Sequence, residues 1–474
     1  MSTFSGLNTA YTGLVAAKAG LDVVGQNLVN ANTAGYTRQR VSTSGVAPLN
    51  STGLFSGGVR PGQGVNVDGI QRLDDAAIDA RVRSTTALSG YTNTRADALS
   101  TLESSLNEPG TNGLSTQLQK FWSAWGDVSN QPGEQAPAGV LLGQAGSVVT
   151  QLKSGYSAVD GQWSALRTSV DGMVSDLNAA ATQVADLNGR IRTALASGQS
   201  ANELMDRRDL LTTSIAKLAG GVVRPNDDGT VDVLVGGNAL VSGTTANAVQ
   251  AAGANRLADA AGDPPRLEWA YRPGAAIAME GGSIAGAVST LAPADANGTG
   301  GVLAEAAASY NAFAVTLAQR VNAVHQTGTT PTGATGLDFF AIDPTKPAAL
   351  GLSVVPTNVS QIATGTPGAG GSDGSVADAI SQLGTGTNAV DKQWSAFVVR
   401  VGVASRTEQQ QSDLADMATS SATNAQLAGA SVDLDEENMN MLSFQHAYQG
   451  AARVMTAVDE ALDVLINHTG LVGR

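Results

Sequence analysis

Apolar residues recur every seven positions at both ends of the chain. Leu7, Leu14, Leu21 and Leu28 form one row, with Ala10, Ala17, Val24 and Ala31 three positions on, and this pattern predicts an amphipathic N-terminal helix. At the other end Met441, Tyr448, Met455 and Leu462 repeat by seven. Phe444, Ala451, Val458 and Leu465 occupy the companion positions, as in a coiled-coil seam. A longer internal series runs Val149, Tyr156, Trp163, Val170, Leu177, Val184 and Ile191, with Leu152, Val159, Leu166, Met173, Ala180 and Leu187 as its second row. A helix over 149–191 would be roughly 65 Å long at about 1.5 Å per residue, which predicts a rod. Shorter helical patterns, carried by Leu88, Tyr91, Leu99, Leu102 and Leu106, by Leu303, Tyr310, Phe313, Leu317, Val321 and Val324, and by Trp394, Phe397, Val401 and Leu414, suit antiparallel packing beside it.

Between these helices the period changes to two. Val231, Val233 and Val235 follow the turn sequence Asn226-Asp227-Asp228-Gly229, and Leu267, Trp269 and Tyr271 continue the alternation. A small β-rich outer domain inserted over 220–290 is expected. Residues 327–374 are rich in Gly, Pro and Thr, with strand-like pieces at Phe339-Phe340 and 352–355, and read as a loop-dominated excursion. The fold class that follows is mainly α with a β-rich insertion. Residues 1–50 with 431–474 would form a terminal coiled-coil assembly domain, and 51–219 with 291–430 a long antiparallel helical rod. Asp433 followed by Glu436 forms an Asp-x-x-Glu capping box before the C-terminal heptads. Asn27, Asn30, Asn32 and Gly35 supply residues that tolerate the left-handed conformation closing the N-terminal helix.

Composition narrows the function classes. No cysteine is present, so disulfides and thiolate chemistry are excluded. A net charge of −14 without a Lys/Arg cluster argues against nucleic acid as a partner. No apolar run approaches the roughly 18 residues of a membrane span, so membrane insertion is not expected. The first basic side chain is Lys18, and the apolar positions before it are periodic, unlike a cleaved secretory signal. Charge also divides between the ends. Residues 1–50 carry Lys18, Arg38 and Arg40 against Asp22, whereas 431–474 carry seven acids against Arg453 and Arg474.

Three patterns mimic enzyme signatures. Gly370-Gly371-Ser372-Asp373-Gly374 has the form of a nucleophile elbow but lies in a Gly/Pro/Thr linker. Gly384-x-Gly386-x-x-Ala389 resembles a dinucleotide loop without a βαβ frame. His325, His446 and His468 lack metal-ligand spacing, and replacement of any of them is expected to be silent. No catalytic, cofactor or metal site is assigned. The terminal rows are read instead as an assembly seam: Leu7, Leu14, Leu21, Leu28, Met441, Phe444, Tyr448, Met455, Val458, Leu462 and Leu465. One half-covered seam cannot offset the entropy of ordering its own helix, so both ends are expected to be mobile in the monomer and to fold on assembly.

At these residues the chain resembles a known family. Asn27-Leu28-Val29-Asn30-Ala31-Asn32-Thr33-Ala34-Gly35-Tyr36-Thr37-Arg38 is similar to the N-terminal signature of bacterial flagellar axial proteins, with Asn27, Asn30, Asn32, Gly35 and Tyr36 as its marker residues. Val432-Asp433-Leu434-Asp435-Glu436-Glu437, Gln445-x-x-Tyr448-Gln449 and Val458-Asp459-Glu460 resemble the matching C-terminal signature. Interior segments, among them Asp206-Arg207-Arg208-Asp209-Leu210-Leu211, Asp228-Gly229-Thr230-Val231 and Gly336-x-x-Phe339-Phe340, narrow the resemblance to the flagellar hook-associated protein 1 family. Leu28-Val29, Ala34 and Gly450 depart from its usual pattern, and the tail 467–474 runs past its usual end.

The resemblance implies a non-catalytic adaptor, exported through the flagellar type III channel and placed at the hook-filament junction. Implied partners are further copies of the chain in a ring, the hook protein, a second junction protein, and an export chaperone on about 433–465. No cofactor is implied. Two alternatives stay open at this point: another flagellar axial subunit, such as the second junction protein or the hook protein, and a secreted serine hydrolase using Ser372. The rod heptads argue against a hook protein, and Ser372 lacks a base and a pocket in the sequence.

Overall fold

The computed structural model describes residues 3–47 and 62–468, with side chains from residue 5 to 467. The N-terminal apolar row folds as helix α1 (Thr3–Asn30), and an antiparallel hairpin follows, β1 (Gln39–Gly45) with β2 (Val65–Arg72). This hairpin lies along α1.

The rod begins with α2 (Ala76–Leu106), whose N-cap Asp75 accepts hydrogen bonds from the amides of Ala77 and Ile78. Then come α3 (Leu114–Asn130), α4 (Gln135–Ala196) and α5 (Asn202–Ala219). At 62 residues, α4 is longer than the heptads predicted, about 93 Å at 1.5 Å per residue. Val149, Leu152, Tyr156, Val159, Trp163, Val170, Leu177, Val184 and Ile191 are all buried, as their spacing requires.

Two small sheets follow α5. Strands β3 (Val222–Pro225), β4 (Val231–Val235), β5 (Asn238–Ser242) and β6 (Thr245–Ala246) form one in that order. Strands β7 (Val249–Ala252), β8 (Arg266–Trp269) and β9 (Arg272–Ala276) form the other. The turn at Gly229 takes φ +81°, available to glycine without strain. Two asparagines of α4 clasp the sheets. Asn188 donates to the carbonyls of Val231 and Gly243 and accepts from the Val231 amide, while Asn178 exchanges two hydrogen bonds with Val249. The last part of the expected 220–290 insertion is helical: α6 (Ser283–Leu291) returns the chain to the rod.

Helix α7 (Val302–His325) lies against α4. The excursion after it contains β10 (Phe340–Ile342), the short helix α8 (Ala348–Gly351), β11 (Leu352–Val354) paired with β10, and α9 (Ser375–Ser381). Helix α10 (Asp391–Ala430) runs back along α2, and α11 (Leu434–Asp463), continued by a π turn over Val464–His468, pairs with α1. Contacts from Gln426 to Asp79, Asp416 to Ser89 and Glu408 to Arg95 show α2 and α10 antiparallel over most of their length. Aromatic rings close the end of the rod remote from the termini. Phe121, Trp125, Phe339 and Phe340 meet there, and Tyr310, Phe313, Trp394 and Phe397 meet beside α10.

Three residues expected on packing faces, Leu88, Leu414 and Tyr271, are exposed. Leu88 and Leu414 fall off the buried faces of α2 and α10. Tyr271 sits at the β8–β9 turn, where its ring stacks on Trp269.

Candidate functional site

The first and last described helices lie side by side, and what α1 buries is mostly small. Ala10, Ala17, Gly20, Val23, Val24 and Asn27 are buried, whereas Leu7, Leu14 and Leu21 are half-buried and Leu28 is 37% exposed. Small residues let α11 approach closely. A Cβ on Gly20 would stand 2.5 Å from the Phe444 ring, so that ring packs directly on the α1 backbone. On α11, Phe444, Met455, Val458 and Leu462 are half-buried, and Met441, Tyr448 and Leu465 are exposed. The structure therefore brings the two predicted rows together but turns the α1 contact toward the companion row of alanines and valines. Tyr11, Val15, Met439, Leu442, Val454 and Ile466 remain exposed on the pair.

The one fully buried residue among the described positions of α11 is charged: Glu437, 1% exposed. Its Oε1 takes the Arg38 Nε at 2.8 Å and Nη2 at 2.7 Å, and its Oε2 accepts from Asn27 Nδ2 at 3.1 Å. Asn27 is a hub. Its Nδ2 also donates to the Gln39 carbonyl, and its Oδ1 accepts from the Gln39 amide and the Tyr36 hydroxyl, each at 2.9 Å. Asp433 caps α11 by accepting from the amides of Asp435 and Glu436. The Glu436 carboxylate, expected to reach back within a capping box, binds Arg38 instead, at 2.8 and 2.9 Å. The Arg38 amide also donates to the carbonyl of Ala430 at the end of α10.

A second buried layer ties this root to the rod. The Thr37 amide donates to Asp206, and Arg72 of β2 pairs with Asp206 at 3.0 Å and Asp209 at 2.7 Å on α5. The Arg72 Nε and Asp206 Oδ1 contact is ionic without hydrogen-bond alignment. Arg208 turns the other way, donating to the Gly229 carbonyl and to Asn188. The segment 206–209 thus connects the N-terminal hairpin, α4 and the β insertion. Burial pushes the Asp206 carboxyl up against the pull of Arg72, and burial with nearby Asp206, Glu203 and Glu437 pushes Tyr36 up to about 12. The phenol therefore stays protonated and remains a donor to Asn27.

The remaining signature residues act locally. Asn30 accepts from the Thr33 hydroxyl and donates to the Gln26 carbonyl, closing α1. Gly35 has φ +76°, and a Cβ there would stand 2.6 Å from Leu210. Asn32 lies exposed on the rim of a 420 Å³ cavity beneath this loop.

The enzyme-like patterns sit elsewhere. Ser372 is exposed in the loop before α9, where Asp373 binds the amides of Thr366 and Ser375 and caps the turn. Gly384 packs on the Trp122 ring with no strand before it. His446 is exposed on α11, and nothing is described of the His468 side chain. His325 is completely buried: its Nδ1–H donates to the Leu337 carbonyl and its Nε2 accepts from the Ala363 amide, an assignment fixed by those two partners. His325 thus differs from the other two histidines in having a structural role, because removing it would strand two buried backbone groups. Among the described residues no His, Asp and Glu cluster could hold a metal, and no helix is long and apolar enough to cross a membrane.

Sequence position alone did not reveal the meeting of Asn27, Arg38, Arg72, Asp206 and Glu437. A buried Glu beside an Arg from the opposite terminus shows in the sequence only as the charge difference between the ends.

A helical rod whose two terminal helices are brought back together and locked by buried charge defines a structural assembly subunit. Residues 99–340 match the family model described as flagellar hook-associated protein FlgK helical domain, and 425–467 match that of the flagellar basal body rod FlgEFG protein C-terminal. A flagellar hook-associated protein 1 of Bacillus subtilis (strain 168) is 30% identical over the whole of both chains. The protein of that name from Escherichia coli (strain K12) is 32% identical over 73% of this chain and 61% of its own length. In structure, the flagellar hook junction protein FlgK from Burkholderia pseudomallei shares the fold, with a TM-score of 0.63 at 15% identity over 73% of this chain and 99% of that one. The chain belongs to the flagellar hook-associated protein 1 family.

Proposed function

We propose that this chain is a non-catalytic adaptor that joins the hook of a bacterial flagellum to its filament, using its terminal helices to assemble with other copies in a ring. The observation that carries this reading is the α1–α11 pair. Both ends of a long chain return to one place and are fastened there through Asn27, Arg38 and Glu437, and the pair still exposes an apolar row. A soluble monomer gains nothing from such a row, whereas neighbouring copies would cover it. In this arrangement the terminal helices with the β1–β2 hairpin are the assembly domain, the helices from α2 to α10 the rod that sets its height and tilt, and the two small sheets an outer elaboration.

The hook protein would meet one side of the ring and a second junction protein the other. Export through the flagellar type III channel would carry the chain from the cytoplasm to the outside, with a chaperone shielding about 433–465 beforehand. Ser372 has no role in this account. Deleting the gene should leave complete hooks without filaments, restored by the wild-type gene and by Ser372→Ala alike. Attached filaments after deletion, or failure of Ser372→Ala to restore them, would overturn the reading.

A further inference from the structure

The terminal helices and the β1–β2 hairpin join the rod without sharing its core. The chain passes from one part to the other at 73–75 and at 431–433. Among the described residues, the rod's apolar cluster runs from Leu99 to Val401 and includes no residue of either terminal segment. Gly35 rests on Leu210, and the other contacts of the hairpin with α5 are polar: Thr37 and Arg72 with Asp206, Arg72 with Asp209, and Gln39 with Asn202. A joint made of polar contacts around a cavity lacks the interdigitated packing that fixes a core in one arrangement.

The charged lining of the 420 Å³ cavity at this joint is Arg72, Arg83, Asp74, Asp79, Asp206 and Asp209. The acids are unequally shared. Arg72, which rides on β2, lies 3.0 Å from Asp206, 2.7 Å from Asp209 and 3.8 Å from Asp74. Arg83, on the rod helix α2, is half-buried, yet it makes no hydrogen bond and no ion pair among the described residues. Burial pulls its guanidinium below the ordinary value although Asp79 and Asp209 face it. A half-buried cation out of contact with any counter-charge is unfavourable, and its position here needs a reason. Of the two acids facing it, Asp79 already accepts from Gln426 of α10 at 2.6 Å. Asp209 is the one left for Arg83: it stands on α5, which packs beside α2, and its second oxygen is only loosely held, 3.9 Å from Arg208.

We propose that Asp209 is exchanged between Arg72 and Arg83, and that this exchange gives the terminal domain two positions on the rod. In the position described above, Arg72 holds Asp209 and the hairpin lies down on α5. In the other, Asp209 pairs with Arg83 inside the rod, and the hairpin swivels about Asp206, which keeps Arg72 and the Thr37 amide. Arg72 then draws Asp74 closer in place of Asp209. One ion pair is lost and one is gained, so the two positions stay close in free energy and both are populated. The inference goes beyond the adaptor reading and does not depend on it, because the exchange is internal to one chain. A ring subunit seated between two different polymers would use it to adjust the tilt of its rod.

The lack of cysteine makes the test direct. Nitroxide labels on Thr43→Cys of the hairpin and Leu88→Cys of α2, both exposed positions, report the distance across the joint by double electron–electron resonance on the purified full chain. Two distance populations are expected. Arg83→Met breaks no hydrogen bond or ion pair of the described residues, so it should leave folding intact, remove the second population and keep the first. Arg72→Met should move the weight to the second, with the melting temperature of the rod confirming that the variant is folded. A single population in the labelled chain, or a distribution that Arg83→Met leaves unaltered, would overturn the proposal. So would a folded Arg72→Met variant that stays at the first distance, and Arg83→Met decides alone if Arg72→Met does not fold. Neither hook nor filament enters the measurement, so its failure is distinct from failure of the adaptor reading.

Discussion

Replacing Arg38 by Met should unfasten the terminal helices while leaving the rod intact. Glu437 is buried and its Oε1 receives two Arg38 nitrogens at 2.7 and 2.8 Å, leaving Asn27 as its other hydrogen-bond donor. Breaking a buried ion pair by removing one partner costs about 3–5 kcal/mol, because the remaining charge has no compensation. Replacing both partners by apolar residues of similar size costs far less by the same argument, so Arg38→Met with Glu437→Leu should recover most of the loss. The single change Glu437→Gln should cost about 1–3 kcal/mol, since its amide group meets donors on both sides. Hydrogen exchange followed by mass spectrometry reads these energies locally. Amides of α1 and α11 near the root should exchange roughly two to three and a half orders of magnitude faster in Arg38→Met, at a factor of ten per 1.4 kcal/mol, with α4 unchanged. The mobility expected of both ends in the monomer should therefore be confined to the outer parts of α1 and α11, with protection falling outward from the root, because Val23, Val24, Asn27 and Glu437 are buried while the residues beyond Val458 are half-covered or exposed. Exchange within threefold of wild type in Arg38→Met, or a double variant as damaged as the single, would refute the fastening role.

Further outcomes follow from the same geometry. Gly35→Ala should destabilise the loop by about 1–2 kcal/mol, the cost of a left-handed alanine, and shift α1 and α11 exchange without moving the rod's melting temperature; an unchanged exchange pattern would show that the loop does not hold the helices. Burial holds the His325 imidazole below its ordinary pKa, so the folded chain binds fewer protons than the unfolded one; stability should be steady above about pH 6.5, fall as pH drops below it, and the slope should vanish in His325→Gln. A wild-type melting temperature that is flat from pH 7.5 to 5.5, or a slope retained in His325→Gln, would contradict this. Leu462→Asp, on the half-buried side of α11, should abolish filament attachment without altering the rod's melting, whereas the exposed control Asp463→Ala should be nearly silent.

Periodicity made the helices legible wherever burial is continuous. The α4 series needed no tertiary information, because every seventh residue meets the same wall of the rod. Leu414 and Leu88 show the limit: a Leu at helical spacing looks the same to periodicity whether it faces its own core or open solvent. The terminal rows were legible as rows but not in their rotation. Which face of α1 is buried depends on Gly20 admitting Phe444, and glycine carries no weight in a hydrophobic pattern. The root was legible only as segments. Asn27, Arg38 and the acids 436–437 stood out as signature residues. Their convergence with Arg72 and Asp206, from parts of the chain up to 410 positions apart, is a property of the fold alone. His325 looked idle for the same reason, since its two partners come from a loop of low complexity.

The central claim is a position: one ring of these chains between hook and filament. Immunogold labelling of intact flagella, with an epitope inserted at the exposed β8–β9 turn beside Tyr271, reads that position directly. Gold should be confined to a single band at the boundary where the hook ends and the filament begins. Gold spread along the hook or the filament, or found only inside the cell, would contradict it.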